Sequence, residues 1–474
     1  MESILEYLEK LRDNRVPMHM PGHKRNISKR YLKELRADLD VTETNSFDDL
    51  HNPRGVIKNS LERAEKLFNA REVFYIANGS TGAILSSIKS MTMRGDKILV
   101  TRNCHKSVYN GIELMGLNPT YIYPKLVKDE IFCASVDPEE VREKLDENED
   151  IKLFILTSPT FEGVISDIKT IAEICHERGV LLLVDEAHGA HLGMGYCFGK
   201  SAIDLGADMC IKSLHKTLNS LTSTSILLCN NKNIDRSKIQ RQINIFETTS
   251  PSYLLVASMD GLINDLIENG NETFKAWKDM CIDFREKAKN LKNLEYIDLS
   301  DKKYENVFDY DISKILISTK NTNISGGKLS TLLSDRNIDI EMPYINYIIA
   351  MTGMGETKEN LDIFLDALFN IDEELEKAIE IEDNAKRYLK DFEEVIPIYM
   401  AYECENKQIK LKDSVGEVSA EYIWAYPPGI PLITPGERIT ESLLLYIDEL
   451  LEKGINVYSD YKGLPEKIHV IDIN

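Results

Sequence analysis

The run Leu181-Leu182-Leu183-Val184 constrains the fold of this chain most, because its apolar side chains are not interrupted by polar ones. A strand with one face in water alternates apolar and polar side chains, whereas a strand buried on both faces does not. A helical pattern from Ile168 to Arg178 precedes the run and ends at Gly179, a typical C-terminal stop. The pattern predicts an α/β fold in which helices cover both faces of a largely parallel sheet.

Short apolar runs alternate with longer amphipathic ones from about residue 56 onward. With 474 residues the chain exceeds the size of one core, and we expect an N-terminal segment 1–55, a large domain 56–310 and a smaller C-terminal α/β domain 311–474. The strand-like runs are 73–77, 97–101, 152–157, 181–184, 209–211, 225–229, 314–318 and 345–351. The helical runs are 56–70, 81–93, 168–178, 251–292, a helix opening near Thr357, the Glu- and Lys-rich run 372–391 and 440–453.

Composition narrows the possible partners of the chain. A net charge of −21 disfavours nucleic acid, because phosphate binding requires a basic face. Apolar runs are all shorter than the roughly 20 residues that span a bilayer, and Met1–Lys10 is not ordered like a secretion signal. The 8 cysteines form no Cys-x-x-Cys pair, which is typical of reduced thiols. We therefore expect a cytoplasmic protein that binds neither nucleic acid nor membrane.

A small-residue turn, Asn78-Gly79-Ser80-Thr81-Gly82, joins a strand-like run to a helical one. Its backbone N–H groups are accessible, its two hydroxyls can donate hydrogen bonds, and the helix N-terminus favours an anion. Gly79, Ser80 and Thr81 are therefore candidate phosphate ligands. The same residues would also form an ordinary turn with a helix N-cap.

Three further residues lie where predicted strands end. Asp185 closes the buried run, and a buried aspartate requires a charged or hydrogen-bonded partner. Lys216 lies within Ser213-Leu214-His215-Lys216-Thr217 after the next strand, where burial near other cations can give a nucleophilic neutral amine. His105 follows another strand and could stack on a flat cofactor. Each also has an ordinary interpretation, as a salt bridge, a surface lysine and a helix-capping histidine.

Together these residues suit pyridoxal phosphate (PLP), with Lys216 bonded to its aldehyde and Asp185 keeping its pyridine nitrogen protonated. His188 and His191 suggest a metal site, but their spacing fits a strand end and turn better than a helix-borne ligand pair. We therefore expect PLP and no metal.

The motifs resemble, in order, those of the PLP-dependent ornithine, lysine and arginine decarboxylases, and the resemblance covers nearly the whole chain. This family has the aspartate aminotransferase fold, fold type I, in which a seven-stranded type of sheet forms the large domain. The resembling motifs are Met18-His19-Met20-Pro21-Gly22-His23-Lys24, Asp48-Asp49-Leu50-His51, Asn78-Gly79-Ser80-Thr81, Arg102-Asn103-Cys104-His105-Lys106-Ser107, Thr157-Ser158-Pro159-Thr160, Asp185-Glu186-Ala187-His188-Gly189-Ala190-His191, Ser213-Leu214-His215-Lys216-Thr217 and Tyr426-Pro427-Pro428-Gly429-Ile430-Pro431.

The resemblance implies roles for individual residues. Lys216 carries the cofactor, Asp185 pairs with the pyridine nitrogen, and His105 stacks on the ring. It also implies a homodimer with active sites at the interface. Only residues 1–18 precede His19, so the chain resembles the short form of the family, which has no wing domain. The remaining implied contacts are Ser80, Thr81, Ser213 and His215 with the phosphate, Ala187 beneath the ring and Thr249 with the neighbouring subunit's cofactor.

The resemblance further implies decarboxylation of a basic L-amino acid, with arginine converted to agmatine and carbon dioxide in polyamine biosynthesis as the favoured reaction. Lysine or ornithine is the alternative substrate; transamination, side-chain cleavage and a non-catalytic role are the alternative functions. Either His215 or Lys216 could return the proton that replaces the carboxylate. The candidates for reading the basic side chain, each of which could equally be an ordinary cap or surface acid, are Asp48, Asp49, Glu341 and Glu437.

Overall fold

A computed structural model describes residues 2–44, 46–127, 130, 132–195, 197–378, 392–425 and 429–472. The chain forms two compact units, each assembled from separate segments of the sequence. The domain limits expected from the sequence stay a prediction. The first unit comprises Met1–Thr92, Leu181–Ala276 and Gly353–Gly355, and the second comprises Met93–Val180, Trp277–Thr352 and Glu356–Asn474.

Helices and short strands alternate along most of the described chain, as the sequence predicts. The helices are α1 (Ile4–Asn14), α2 (Arg30–Glu34), α3 (Val56–Leu67), α4 (Gly79–Met91), α5 (Lys106–Met115), α6 (Pro138–Glu147), α7 (Ile168–Glu177), α8 (Leu214–Thr217), α9 (Arg236–Phe246), α10 (Tyr253–Ala288), α11 (Gly326–Ser334), α12 (Lys358–Glu374), α13 (Ile398–Ala401) and α14 (Glu441–Glu452). The strands are β1 (Glu72–Ile76), β2 (Lys97–Thr101), β3 (Asn118–Ile122), β4 (Ile151–Thr157), β5 (Val164–Ile165), β6 (Leu181–Asp185), β7 (Met209–Ser213), β8 (Ser225–Cys229), β9 (Glu295–Tyr296), β10 (Asp309–Tyr310), β11 (Lys314–Ser318), β12 (Met342–Pro343), β13 (Tyr347–Met351), β14 (Asn406–Lys410), β15 (Ile423–Ala425), β16 (Pro431–Ile433), β17 (Val457–Ser459) and β18 (Lys467–Ile471).

In the first unit the strand order is β1-β8-β7-β6. Strands β6 and β7 run parallel, whereas β8 runs antiparallel to both of its neighbours, β1 and β7. Helix α4 packs against β7, β8 and α9. Because β1, β6 and β7 point the same way, their carboxyl ends meet at one edge, where open α/β sheets bind ligands.

In the second unit β4, β2 and β3 pair in that order and all run parallel. A separate antiparallel sheet has the order β12-β13-β11-β9, and smaller antiparallel pairings join β15 to β16 and β17, and β14 to β18. The second unit has two clusters of buried apolar side chains. One includes Phe284, Ile317 and Leu368, and the other includes Ile423 and Ile447.

Most element predictions are confirmed to within a few residues, including β2, β8 and β11. Helix α12 ends at Glu374, so the helix predicted over 372–391 is wrong at residues 375–378. There the chain leaves the helix to pair with a neighbouring segment, because Lys377 forms a β-bridge with Thr322. Residues 379–391 lie outside the described part. Among the described residues, the helices are too short or too polar to cross a bilayer.

Candidate active site

Asp185 is the last residue of β6 and only 4% exposed, as its apolar strand requires. It lies opposite Ile211 of β7, two residues before Ser213 ends that strand. Its Oδ1 accepts a hydrogen bond from the backbone N–H of Ala187 at 3.1 Å. Burial raises the pKa of this carboxyl, and the nearby charge of Lys216 acts in the opposite direction. A cationic ring nitrogen would be a favourable partner for it.

Lys216 lies in the short helix α8, which directly follows β7 and places the lysine at the same edge as Asp185. Its Nζ is 2.8 Å from Nε2 of His188, and His188 is buried in the turn that follows β6. The sequence suggested only a weak metal role for His188. The parallel pairing of β6 and β7 could have indicated this contact, because residues that follow two adjacent parallel strands lie at the same edge.

The predicted phosphate cup lies at the start of α4. Gly79 begins the helix with φ of +79°, a left-handed conformation that favours glycine. Asn78 gives the helix no side-chain cap and instead donates from Nδ2 to the carbonyl of Phe246 at 2.7 Å. The hydroxyls of Ser80 and Ser213 lie 2.5 Å apart, which joins the cup to the end of β7. Thr81, in the same first turn, is exposed.

Buried hydroxyls around this edge test whether the residues fit PLP. Thr217 Oγ1 and Ser225 Oγ are buried and have no hydrogen-bond partner within the part of the chain that the structure describes. Ser225 pairs with Ser213 across β7 and β8, and Thr217 follows Lys216. Such unsatisfied groups cost about 1–3 kcal/mol each, a cost that a hydrogen-bond acceptor such as a phosphate oxygen would remove. The residues fit a ligand with a phosphate, an aldehyde and a basic ring nitrogen.

His215 is oriented by its backbone neighbour. Its Nδ1 lies 2.9 Å from the carbonyl oxygen of Thr224. Because a carbonyl only accepts, Nδ1 carries the hydrogen and the neutral ring leaves Nε2 as an acceptor. Burial lowers the pKa of His215, and the charge of Lys216 lowers it further.

His105 belongs to the second unit, where it is the N-cap of α5. Its Nδ1 accepts a hydrogen bond from the backbone N–H of Ser107 at 3.2 Å and lies 2.8 Å from that residue's hydroxyl. This is the capping interpretation considered from the sequence, and it fixes the ring orientation. The predicted stacking of His105 on the cofactor stays a prediction.

Two of the acids considered for substrate recognition have structural partners. Asp48 accepts backbone hydrogen bonds of 2.8–2.9 Å from Arg54, Gly55 and Ile57 at the start of α3. Glu437 is 2% exposed and pairs with Arg102 at 2.8 Å in the second unit. Both contacts favour the alternative considered for these acids, a cap or an ordinary ion pair.

The remaining candidates are more accessible. Asp49 is half-buried and accepts a hydrogen bond from the backbone N–H of His51 at 2.9 Å. Glu341 and Thr249 are exposed. The motif beginning at Tyr426 falls at residues 426–428 outside the described part of the chain.

Two protein-family models match most of the chain. The model of the Orn/Lys/Arg decarboxylase major domain matches residues 8–359, and that of the C-terminal domain matches residues 385–469. An arginine decarboxylase of Halalkalibacterium halodurans is 32% identical, over 94% of this chain and 92% of its own. One of Bacillus subtilis is 29% identical, over 96% and 94%. Lysine decarboxylase A of Pseudomonas aeruginosa has a similar fold, with a TM-score of 0.86 at 18% identity over 99% of this chain and 80% of its own.

These likenesses confirm the predicted α/β fold of type I. The family matches extend over most of the chain and include the lysine, aspartate and serine positions at the edge of the first unit's sheet. The chain belongs to the Orn/Lys/Arg decarboxylase family and is a PLP-dependent amino acid decarboxylase.

Proposed function

We propose that the protein converts L-arginine to agmatine and carbon dioxide. The observation that carries this choice is that relatives named arginine decarboxylase align with nearly the whole chain, one of them at 32% identity. Lysine and ornithine stay the alternative substrates, and polyamine biosynthesis in the cytoplasm is the setting that fits the reaction.

Bound PLP withdraws the electron pair left when the bond to the substrate carboxylate breaks. We propose that Lys216 holds the cofactor and releases it to the substrate amine. The Asp185 carboxylate stabilises positive charge on the ring nitrogen, and its burial excludes the water that would screen this interaction. Ser80 and Ser213 orient the phosphate from adjacent elements with the first turn of α4.

The remaining predicted contacts follow the same arrangement. Gly79 and Thr81 contribute the cup's backbone, Ala187 packs beneath the ring, and His215 approaches the phosphate or returns a proton through Nε2. Lys216 is the other proton source. Among the acids, Asp49 and Glu341 are the ones we propose to read the basic side chain, because within the described part of the chain neither has the multiple structural contacts of Asp48 and Glu437.

A homodimer is part of the proposal. The segment between α1 and the end of α2 exposes large apolar side chains, including Val16 at 82% and Met18 at 87%. Met20, Tyr31 and, directly after α2, Leu35 are also exposed, at 62–69%. A stretch of chain with this many exposed apolar side chains is a candidate for a protein interface. Thr249, exposed after α9, is the residue proposed to reach the partner's cofactor.

The experiment is to incubate purified holoenzyme with arginine, lysine and ornithine separately while measuring carbon dioxide, amine and keto-acid. Carbon dioxide and agmatine from arginine, with little turnover of the others, supports the proposal. Keto-acid formation would identify transamination instead. Borohydride reduction and peptide mapping should place the cofactor on Lys216, and Lys216→Ala should abolish both attachment and turnover.

A further inference from the structure

The contact between Lys216 and His188 joins the cofactor-holding amine to a buried imidazole at 2.8 Å. A lysine side chain in water is an ammonium with a pKa near 10.4, and an ammonium can only donate hydrogen bonds. His188 Nε2 must then accept, so the imidazole is neutral with its hydrogen on Nδ1. The geometry is that of a proton donor directly facing a base.

A fully buried ion pair between Lys212 and Glu186 holds the turn that contains His188. Lys212 Nζ lies 2.6 Å from Glu186 Oε2 and donates to the carbonyls of Gly189 at 3.2 Å and Leu192 at 2.9 Å. Glu186 also accepts from the backbone N–H of Ala202 at 2.8 Å. These bonds enclose residues 187–189, so His188 is presented to Lys216 by a rigid support.

The charges around Lys216 make an acceptor necessary. Asp185 is the buried acid whose charge interacts with Lys216, and it favours the ammonium. His215 directly precedes Lys216 in the same short helix and interacts with its charge, and the hydrogen on His215 Nδ1 is directed at the carbonyl of Thr224. The charges of Lys212 and Glu186 neutralise each other. Only a neutral amine can bond to the aldehyde of PLP, so Lys216 must lose a proton against the pull of Asp185.

We infer that His188 accepts this proton and thereby makes Lys216 reactive. One N–H bond breaks at Lys216 Nζ and one forms at His188 Nε2, the pair's total charge is unchanged, and the electron pair of the broken bond becomes the lone pair of Nζ. When the substrate displaces Lys216 from the cofactor, the reverse transfer returns the proton from His188 Nε2 to Lys216 Nζ. The inference rests on the proposed role of Lys216 and makes His188 an acid–base residue for this decarboxylase.

The test follows PLP capture by the apoenzyme, measured by visible absorbance against pH. His188→Gln keeps a hydrogen-bond acceptor but cannot take up the proton, so capture near neutral pH should slow about 10²-fold and its profile should move to higher pH. In His188→Ala, added imidazole should restore part of the rate. His176→Gln is the matched control, because His176 is exposed on α7, and it should behave as the wild type.

Unchanged rate and pH profile in His188→Gln would overturn the inference. So would slow capture without a shifted profile or imidazole rescue, which indicates a merely structural contact. If His188 variants do not fold, the NMR titration of His188 in Lys216→Met and wild-type apoenzyme decides: equal midpoints contradict the inference, and a higher midpoint in Lys216→Met supports it. Wild-type peptide mapping that places the cofactor on another lysine contradicts the proposed site itself, which is a distinguishable failure.

Discussion

Two acid–lysine pairs, Glu186–Lys212 and Asp185–Lys216, lie near the ends of β6 and β7, and they differ in how deeply they are buried. Glu186 and Lys212 are 1% and 0% exposed, and their charges meet at 2.6 Å with additional hydrogen bonds on both sides. Asp185 is buried as well, but Lys216 is only partly buried and contacts an imidazole. A fully buried pair is suited to holding a structure together, whereas a pair with one partly buried member can also contact a ligand.

Lys212→Met should cause the largest effect, a loss of about 3–5 kcal/mol in the apoenzyme's free energy of unfolding, because Glu186 is left as an unpaired buried charge. Urea unfolding measures it. The matched control is Lys216→Met, which removes the other lysine from a partly buried position and should cost less than about 1 kcal/mol. Equal losses in the two variants would remove the proposed distinction between the pairs.

Asp185→Asn should lower kcat about 10²- to 10³-fold, because an amide cannot stabilise a positive ring nitrogen.

The same change should stabilise the apoenzyme by roughly 1 kcal/mol at neutral pH. Burial raises the pKa of Asp185, so its stabilising contribution is present below the ordinary value and is lost as pH rises through the folded value. Thermal unfolding of the apoenzyme against pH, with Glu186→Gln as the destabilising control, measures this. A less stable Asp185→Asn apoenzyme would contradict the prediction.

The sequence distinguishes these pairs only in part. The unbroken apolar run before Asp185 predicts its strand and burial, and the order of motifs predicts the family. It does not show that Glu186 and Lys212 bind each other, because that pairing depends on the register of β6 against β7 and on the path of the following turn. His188 was missed for the same reason.

Helix α12 shows a second limit. Its composition continues past Glu374 without a glycine or proline, and the sequence therefore predicts further helix. Long-range pairing of Lys377 with Thr322 overrides that local preference. For Asp48 the sequence left two interpretations open, recognition of the substrate's basic side chain and helix capping. It could not decide between them, because a sequence does not show which backbone N–H groups a carboxylate will reach.

Ser80→Ala tests the predicted phosphate cup, which lies near the Asp185–Lys216 pair. Removing a hydroxyl that would hydrogen-bond a charged phosphate should raise the Kd for PLP about tenfold, equal to about 1.4 kcal/mol. Equilibrium dialysis or absorbance titration of the apoenzyme measures it. Ser90→Ala is the control, because Ser90 lies at the other end of α4 and donates to the carbonyl of Ser87 at 2.8 Å. Equal affinities in the two variants would place the phosphate elsewhere.

The smallest effect concerns His215, which makes the surroundings of Lys216 sensitive to pH. Burial lowers the pKa of His215, so below the ordinary value near 6.5 the unfolded chain binds a proton that the folded chain resists. Its contribution to stability is therefore present above that value and lost as pH falls towards the folded pKa. The apoenzyme should lose stability over this window by less than about 1 kcal/mol, since solvent screens a partly exposed ring. His215→Gln should remove that component, and urea unfolding at a series of pH values measures the difference. If the free energy of unfolding changes with pH at the same slope in both proteins, the His215 ring protonates as readily in the folded chain as in the unfolded one. The surroundings of Lys216 would then be no more sensitive to pH than those of the Glu186–Lys212 pair.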